Sequence, residues 1–482
     1  MPIHRPADPC YDVVVVGARA AGAATAHLLA RSGLRVLLVD RGRYGADTLS
    51  THALMRGGVL QLSRWGLLEK IIAAGTPPVC RATFRYADAV VPVTIKPSYG
   101  VDALYAPRRT VLDPILVDAA VASGADVRFG IAVADLDRDR RGAVTGVAGR
   151  TRDGQAFRAR ARIVVGADGI RSTVAERAGA PFERVGTSAA AVTYGYWSGL
   201  QADGYEWNFR PDAASGVIPT NDGQACVFAS ASPRRIGRGG LAPLTRIVAE
   251  SSADLADRLA AAVPPRALRT FTGRPGHMRR SWGSGWALTG DAGYFKDPLT
   301  AHGLTDALRD AELLARGIIA VVADGADERD ALASYQMTRD TLSIALFDVT
   351  GVIAGHRWTD EEIPSLLRQL NAAMAGEVQA LAALPPLPPH PDLHQAQRDE
   401  MRLRHPNTAA AASAAPTTTH HAVPAGRCCR DGVSGTARSA PRRRARLSAI
   451  SLISWPWFQL NAGRATGASR FIHHLVVRTS QS

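Results

Sequence analysis

Cysteine is scarce and poorly placed for metal or disulfide chemistry. The five in 482 residues (Cys10, Cys80, Cys226, Cys428 and Cys429) are scattered or adjacent, with no CxxC pair and no metal-ligand spacing. This argues against a disulfide-stapled fold, a dithiol redox centre or a bound metal, and favours a reducing, cytoplasmic setting. No run of 18 uncharged apolar residues occurs, so no integral membrane segment is expected. The stretch 447–460 is apolar but short, and Pro456 interrupts it. The N-terminal apolar run carries Asp8 and Asp12 and ends in a glycine turn, which reads as a strand and not as a signal peptide. No internal repeat of solenoid period is present.

Beyond residue 400 lysine is missing and acids nearly so, with Asp431 alone against 12 arginines. The net charge of +14 therefore belongs to the tail. Residues 401–482 carry +11, and 1–400, with 45 basic and 42 acidic residues, carry +3. Nothing in 1–400 resembles a nucleic-acid module, so no nucleic-acid partner is expected. The tail has neither periodicity nor a core composition and is expected to be disordered. With 46% hydrophobic and 21% charged residues, the chain can bury a large core and more than one domain.

The most informative stretch is 12–40, DVVVVGARAAGAATAHLLARSGLRVLLVD. A valine strand enters a turn from Gly17 to Gly22, a helix-period segment follows, and a second apolar strand ends on Asp40. This is the order of a dinucleotide-binding unit. Gly17 permits the tight turn, Gly22 lets the helix lie on the strand, and the helix start offers N–H groups to a pyrophosphate. Asp40 is placed for ribose hydroxyls. Arg19 stands where the middle glycine of the pattern usually does.

Periodicity further predicts a helix over 57–74, short strands in 79–105, a helix over 109–122 and a strand at 125–129. A β-meander is expected over 131–165, a sheet over 189–232, a helix over 242–262, a strand at 286–289, and helices from 303 to about 384. Three motifs sit at the joints. Arg108-Arg109 opens a helix and can place Arg109 on a phosphate. VVGADGIRS, which contains Asp168, ends a strand in a glycine-acid turn. LTGDA, with Gly290 and Asp291, does the same. Pro298 follows, then a helix start at Gly303 and Leu304 whose N–H groups can stabilise negative charge.

With these residues in this order, the chain resembles flavoproteins of the para-hydroxybenzoate hydroxylase-like superfamily, which also contains geranylgeranyl reductases and flavin halogenases. The likeness spans roughly 10–355 and rests on GARAAG with Asp40, Arg109 with Leu112, GADGIRS, and GDAGYFKDPLTAHGL followed by Asp310. It implies an α/β fold in which a Rossmann-like FAD-binding domain (10–76, 105–180, 282–320) is interleaved with a smaller mixed β-sheet substrate domain (77–104, 181–281). C-terminal helices (321–384) would follow and complete a flavoprotein core of 1–400. The implied cofactor contacts are Gly17, Ala20, Ala21, Gly22, Asp40, Arg41, Arg109, Val133, Asp168, Gly290, Asp291, Pro298, Gly303 and Leu304.

The chain has one dinucleotide unit, so the resemblance implies that NAD(P)H binds transiently, reduces FAD and leaves. The expected activity is a single-component monooxygenase using oxygen to hydroxylate an aromatic or polyketide-like small molecule. The alternatives are a double-bond reductase of the geranylgeranyl type and a redox-inert FAD-binding protein. No obligate protein partner is evident. Tyr205, Trp207 and Phe209 loosely match the YxWxFP segment of prenyl reductases, with Arg210 intervening before the proline. They are candidate substrate contacts, with ordinary core packing the competing reading for Trp207. His52 is a weak acid–base candidate. Lys296-Asp297 reads either as a local ion pair or as part of the flavin rim. Removal of residues 401–482 is expected to leave flavin content unchanged in the absorbance spectrum; a colourless or aggregated truncation would assign the tail a part in the fold.

Overall fold

The computed structural model describes residues 10–387; the tail expectation for 401–482 lies outside them. Val13, Val14 and Val15 are completely buried, as a central parallel strand flanked on both faces requires. The strand Cys10–Val16 pairs in parallel with Val36–Asp40 on one side and Ala156–Gly166 on the other. Asp126–Phe129 and Trp286–Leu288 extend the parallel sheet at either end. Val13 and Val15 join the core formed with helices Ala20–Arg31, Arg109–Ala122 and Gly303–Val322. Val14 and Val16 pack instead against the antiparallel meander Ile131–Arg138, Val144–Thr151 and Ala156–Gly166. The expected Rossmann-like unit with its meander is present.

A second, seven-stranded sheet is drawn from two separated parts of the chain. Its order is Arg269–Phe271, Ala191–Ser198, Gln224–Ala231, Ala213–Pro219, Tyr205–Arg210, Arg81–Tyr86 and Ala89–Thr94. Side chains alternate across it. Trp197, Val227 and Ala229 meet helices Leu241–Ser251 and Ala253–Ala261. Tyr194, Tyr196, Tyr205 and Trp207 lie on the opposite face, from which Tyr205 Oη donates to Tyr105 O (2.9 Å) in the dinucleotide unit.

Three details differ from the sequence reading. The helix expected over 57–74 is two, Arg56–Arg64 and Leu68–Ala73, separated at Gly66 with φ +74°. The helix expected over 242–262 also divides, because Ser252 is extended and its hydroxyl accepts from Leu255 N–H, starting a new helix. Finally, Phe182–Val185, His277–Arg279 and Tyr294–Phe295 form a small sheet of their own. The first two had been assigned to the substrate sheet, but the Gly186 N–H bond to Gly276 O (2.8 Å) leads them away from it. Helices Glu328–Ala354 and Ile363–Ala383 close the fold, and Arg64 donates to Leu381 O at 2.6 Å. Among the described residues no helix is long and apolar enough to cross a membrane.

Close packing at the first turn sets the position of the first helix. A Cβ added to Gly22 would stand 1.8 Å from Gly17 O and 3.0 Å from the Ala167 side chain. Overpacking of this kind costs about 1–3 kcal/mol. G22A is expected to lower the thermal midpoint followed by circular dichroism, whereas an unchanged midpoint would mean that the helix start has room to move.

Candidate functional site

Three strand ends are laced together by backbone hydrogen bonds: Gly17 N–H to Val39 O (2.7 Å), Ala167 N–H to Val16 O (2.8 Å) and Thr289 N–H to Gly166 O (2.9 Å). The turns that follow these strands therefore lie side by side and rim a cavity of about 500 Å³. Its wall includes Gly17, Ala20, Ala21, Asp40, Arg41, Arg109, Val133, Asp168, Asp291, Pro298, Gly303 and Leu304, together with His52. Gly22 and Gly290 stand behind the wall and act through packing. Gly290, at φ +56°, would bring a Cβ to 2.8 Å from Ala21. A second cleft, of about 750 Å³ beside Trp282, gathers no comparable set of turns.

At the nucleotide end, Asp40 accepts from Ala18 N–H (2.8 Å) and Gly42 N–H (2.6 Å), so its carboxylate braces the glycine turn. Gly17 has φ +107°, and a Cβ there would meet Ala167 O at 2.4 Å. Arg19 leaves this turn sideways and donates to Ala46 O (2.5 Å) and Asp113 (3.1 Å). Asp113 also receives Arg109 in a fork, Nε at 2.9 Å and Nη2 at 3.0 Å. One buried carboxylate thus orients two guanidiniums, a role that the sequence motif around Arg109 did not reveal. Asp168, on the cavity wall, is also held from within the protein. It accepts from Ser172 Oγ (2.5 Å), Thr173 N–H (2.7 Å) and Val174 N–H (3.2 Å), which fixes the start of helix Thr173–Ala178.

Asp291 is the contrasting carboxylate. It accepts no hydrogen bond from the described residues. Burial raises its pKa to about 6, against the lowering charges of Lys296 and Arg109. Nearby, helix Gly303–Val322 begins without a side-chain cap, leaving its first N–H groups available at the cavity wall. An orphaned carboxylate, an uncapped helix start and a glycine turn that tolerates no Cβ together fit a bound dinucleotide with a polyhydroxyl chain.

His52 occupies the wall with φ +50°. Its ring stacks on Tyr196, and Nε2 lies 3.1 Å from the Tyr196 hydroxyl. Burial first, then the charges of Arg108 and Arg109, lower its pKa to about 3. The imidazole is therefore neutral near pH 7, which suits hydrogen bonding better than proton donation. Tyr205, Trp207 and Phe209 are buried within the seven-stranded sheet and do not line the cavity. Trp207 packs on Phe228, and Phe209 on Trp358. The aromatic and aliphatic wall comes instead from Val192, Tyr194, Phe271 and Phe295.

Lys296 and Asp297 do not pair with each other. Lys296 lines the cavity and forms an ion pair with Asp306. Asp297 accepts from Ala190 N–H (2.7 Å) and Leu299 N–H (3.0 Å), tying the sheet to the Pro298 turn. Behind Lys296, Glu377 receives His302 Nε2 (2.5 Å) and Arg309 Nη1 (2.7 Å). His302, Asp306 and Glu377 offer ligand atoms within 4.8 Å of one another, but Lys296 and Arg309 already sit against both carboxylates. The arrangement is an ion-pair cluster. Sequence spacing gave no sign of Asp306 or Glu377 in this setting.

A family model described as FAD binding domain matches residues 10–350. The chain belongs to that family. It is similar to digeranylgeranylglycerophospholipid reductase 2 of Methanothermobacter thermautotrophicus, with 26% identity over 415 residues, covering 81% of this chain and 99% of the relative. It is also similar to 2,4-dichlorophenol 6-monooxygenase of Delftia acidovorans, 28% identical over 207 residues, covering 37% of this chain and 33% of the relative. Among solved structures, the flavin-dependent brominase Bmp2 superposes with a TM-score of 0.67 at 18% identity, over 82% of this chain and 100% of that one. The protein is an FAD-dependent oxidoreductase.

The unpartnered carboxylate yields a prediction with two opposite signs. A raised folded-state pKa means that Asp291 favours folding when protonated and opposes it as pH rises through about 6. At pH 7, D291N is therefore expected to raise the thermal midpoint of flavin-free protein while lowering the flavin retained on purification. Stoichiometric flavin in the variant would remove Asp291 from the cofactor site.

Proposed function

We propose that this flavoprotein reduces a carbon–carbon double bond in a largely apolar, isoprenoid-like substrate. Bound FAD supplies reversible two-electron storage, refilled by transient NAD(P)H. Asp40 would hold the adenosine ribose, Arg109 the pyrophosphate, Asp291 the polyhydroxyl chain, and the N–H groups of Gly303 and Leu304 the negative edge of the ring system. The observation that carries the choice of reaction is the wall of Val192, Tyr194, Phe271 and Phe295, together with Lys296, which follows Phe295 in the chain and is the lysine of the cavity lining. An apolar surface suits a hydrocarbon chain, and an ammonium suits delivery of the proton that alkene reduction requires. The end-to-end likeness to a prenyl-lipid reductase supports the same reading, whereas the monooxygenase shares about a third of its length.

Hydroxylation of an aromatic ring is the second reading, favoured by the tyrosine and phenylalanine content of the wall and by the monooxygenase match. The two separate on their need for oxygen. With NADPH and a polyprenyl alkene under nitrogen, the protein is expected to form a product heavier by one pair of hydrogens. Turnover only in air, with a product heavier by one oxygen, would replace reduction with hydroxylation.

A further inference from the structure

Arginine supplies almost every cation of this chain. Of its 57 basic residues only three are lysines, Lys70, Lys96 and Lys296. Lys70 and Lys96 are exposed, while Lys296 is 5% exposed and lies on the cavity wall. The distinction matters because a guanidinium holds its proton throughout the physiological range and an ammonium can release it. In a protein that uses arginine for its other buried cations, such as Arg309 and Arg339, the cavity lining holds Lys296 beside Arg19, Arg41, Arg109 and Arg171, and of these the lysine is the type able to give up a proton.

The groups around Lys296 are arranged to recharge it. From helix Gly303–Val322, Asp306 pairs with Lys296, and Arg309 engages Asp306 (3.2 Å) and Asp310 (2.7 Å). From helix Ile363–Ala383, Glu377 holds Arg309 and His302. Asp291 faces it from the preceding turn, and the Tyr294 ring centroid lies 5.0 Å from Nζ. His302 Nδ1 is buried without a hydrogen-bond partner, and Asp306 Oδ1, which makes no hydrogen bond, has Arg309 Nη1 3.2 Å away as an ion-pair partner.

We propose that Lys296 is the proton donor to the substrate, resupplied through Asp306; this rests on the double-bond reading above. One alkene carbon gains two electrons and a hydrogen nucleus from the reduced cofactor, whose electrons come from NAD(P)H. At the other carbon a C–H bond forms as an N–H bond of Lys296 breaks, leaving a neutral amine. A solvent proton passed by Asp306 restores the ammonium. Burial, then the like charge of Arg309, lower the Lys296 pKa to about 7, against the raising charges of Glu377, Asp310 and Asp291. The protonated form is the active one, so turnover falls as pH rises through that value.

Three lysines make the test direct. The FAD-loaded protein labelled with ¹³C at lysine Cε should give three signals, with K70R and K96R assigning the exposed pair without disturbing the site. The remaining signal is expected to titrate near neutrality, and its titration together with the others near about 10.4 would overturn the proposal. K296R keeps the charge but withholds the proton. It is expected to lose roughly 10²-fold in alkene turnover, within the range of general-acid contributions, and to lose the decline above pH 7. Wild-type turnover in K296R overturns the proposal. Failure of the double-bond reading shows separately, as a wild-type protein that reduces no alkene whatever its lysine titration.

Discussion

The close approach of backbone to backbone where the parallel strands end is the constraint on which the site depends. Gly17, Gly22 and Gly290 each occupy a place where a Cβ would lie within 3 Å of another atom. Their absence of side chains lets the first helix lie against two strand termini at once, so that three turns share one rim. Side-chain volume at any of these points would separate the turns, and no repositioning of Asp40 or Asp291 would bring them back to a single ligand. The hydrogen bonds of the strand ends supply the register, and the glycines supply the distance.

Electrostatics follows from this packing. Turns brought so close limit the access of water, and carboxylates held among them must find donors or carry the cost of partial burial. Asp40, Asp168 and Asp297 find backbone N–H groups, and Asp113 finds two arginines. Asp291 finds neither, and its carboxyl rises to about 6. A carboxylate that the fold leaves uncompensated would be stabilised by a ligand that brings hydroxyl donors to it, which on the proposed reading couples cofactor binding to stability. The cluster behind Lys296 obeys the same rule with ions of both signs. Burial first, and then the charge of Arg309 set against those of Asp310 and Glu377, lower the pKa of Lys296.

Local signals carried much of this fold. The valine strand, the glycine turn, the helix and the closing Asp40 are contiguous in 12–40, so their chemistry could be read without tertiary information. Helix Arg109–Ala122 and the start of the helix at Gly303 were equally legible, because an apolar period begins at a definable boundary. What stayed hidden depends on distant partners. Trp207 sits in a motif that suggests substrate, yet the register with Gly216 and the packing on Phe228 hold it inside the sheet. The setting of Lys296 requires Glu377, which is 81 positions further along the chain and on another helix.

This division also explains why cofactor class was easier to reach than reaction. Cofactor recognition uses backbone turns and strand ends, and those leave glycine and acid signatures at fixed spacing. Reaction type is set by what stands on the far wall, where Val192, Tyr194, Phe271 and Phe295 come from three separate strands and carry no spacing rule. Replacing any of these with another apolar residue would preserve the fold while reshaping the space left for a substrate. The ammonium among them is not exchangeable in that way. Arginine and lysine differ here in more than charge, and on the proposed reading the lysine beside Asp306 serves proton exchange.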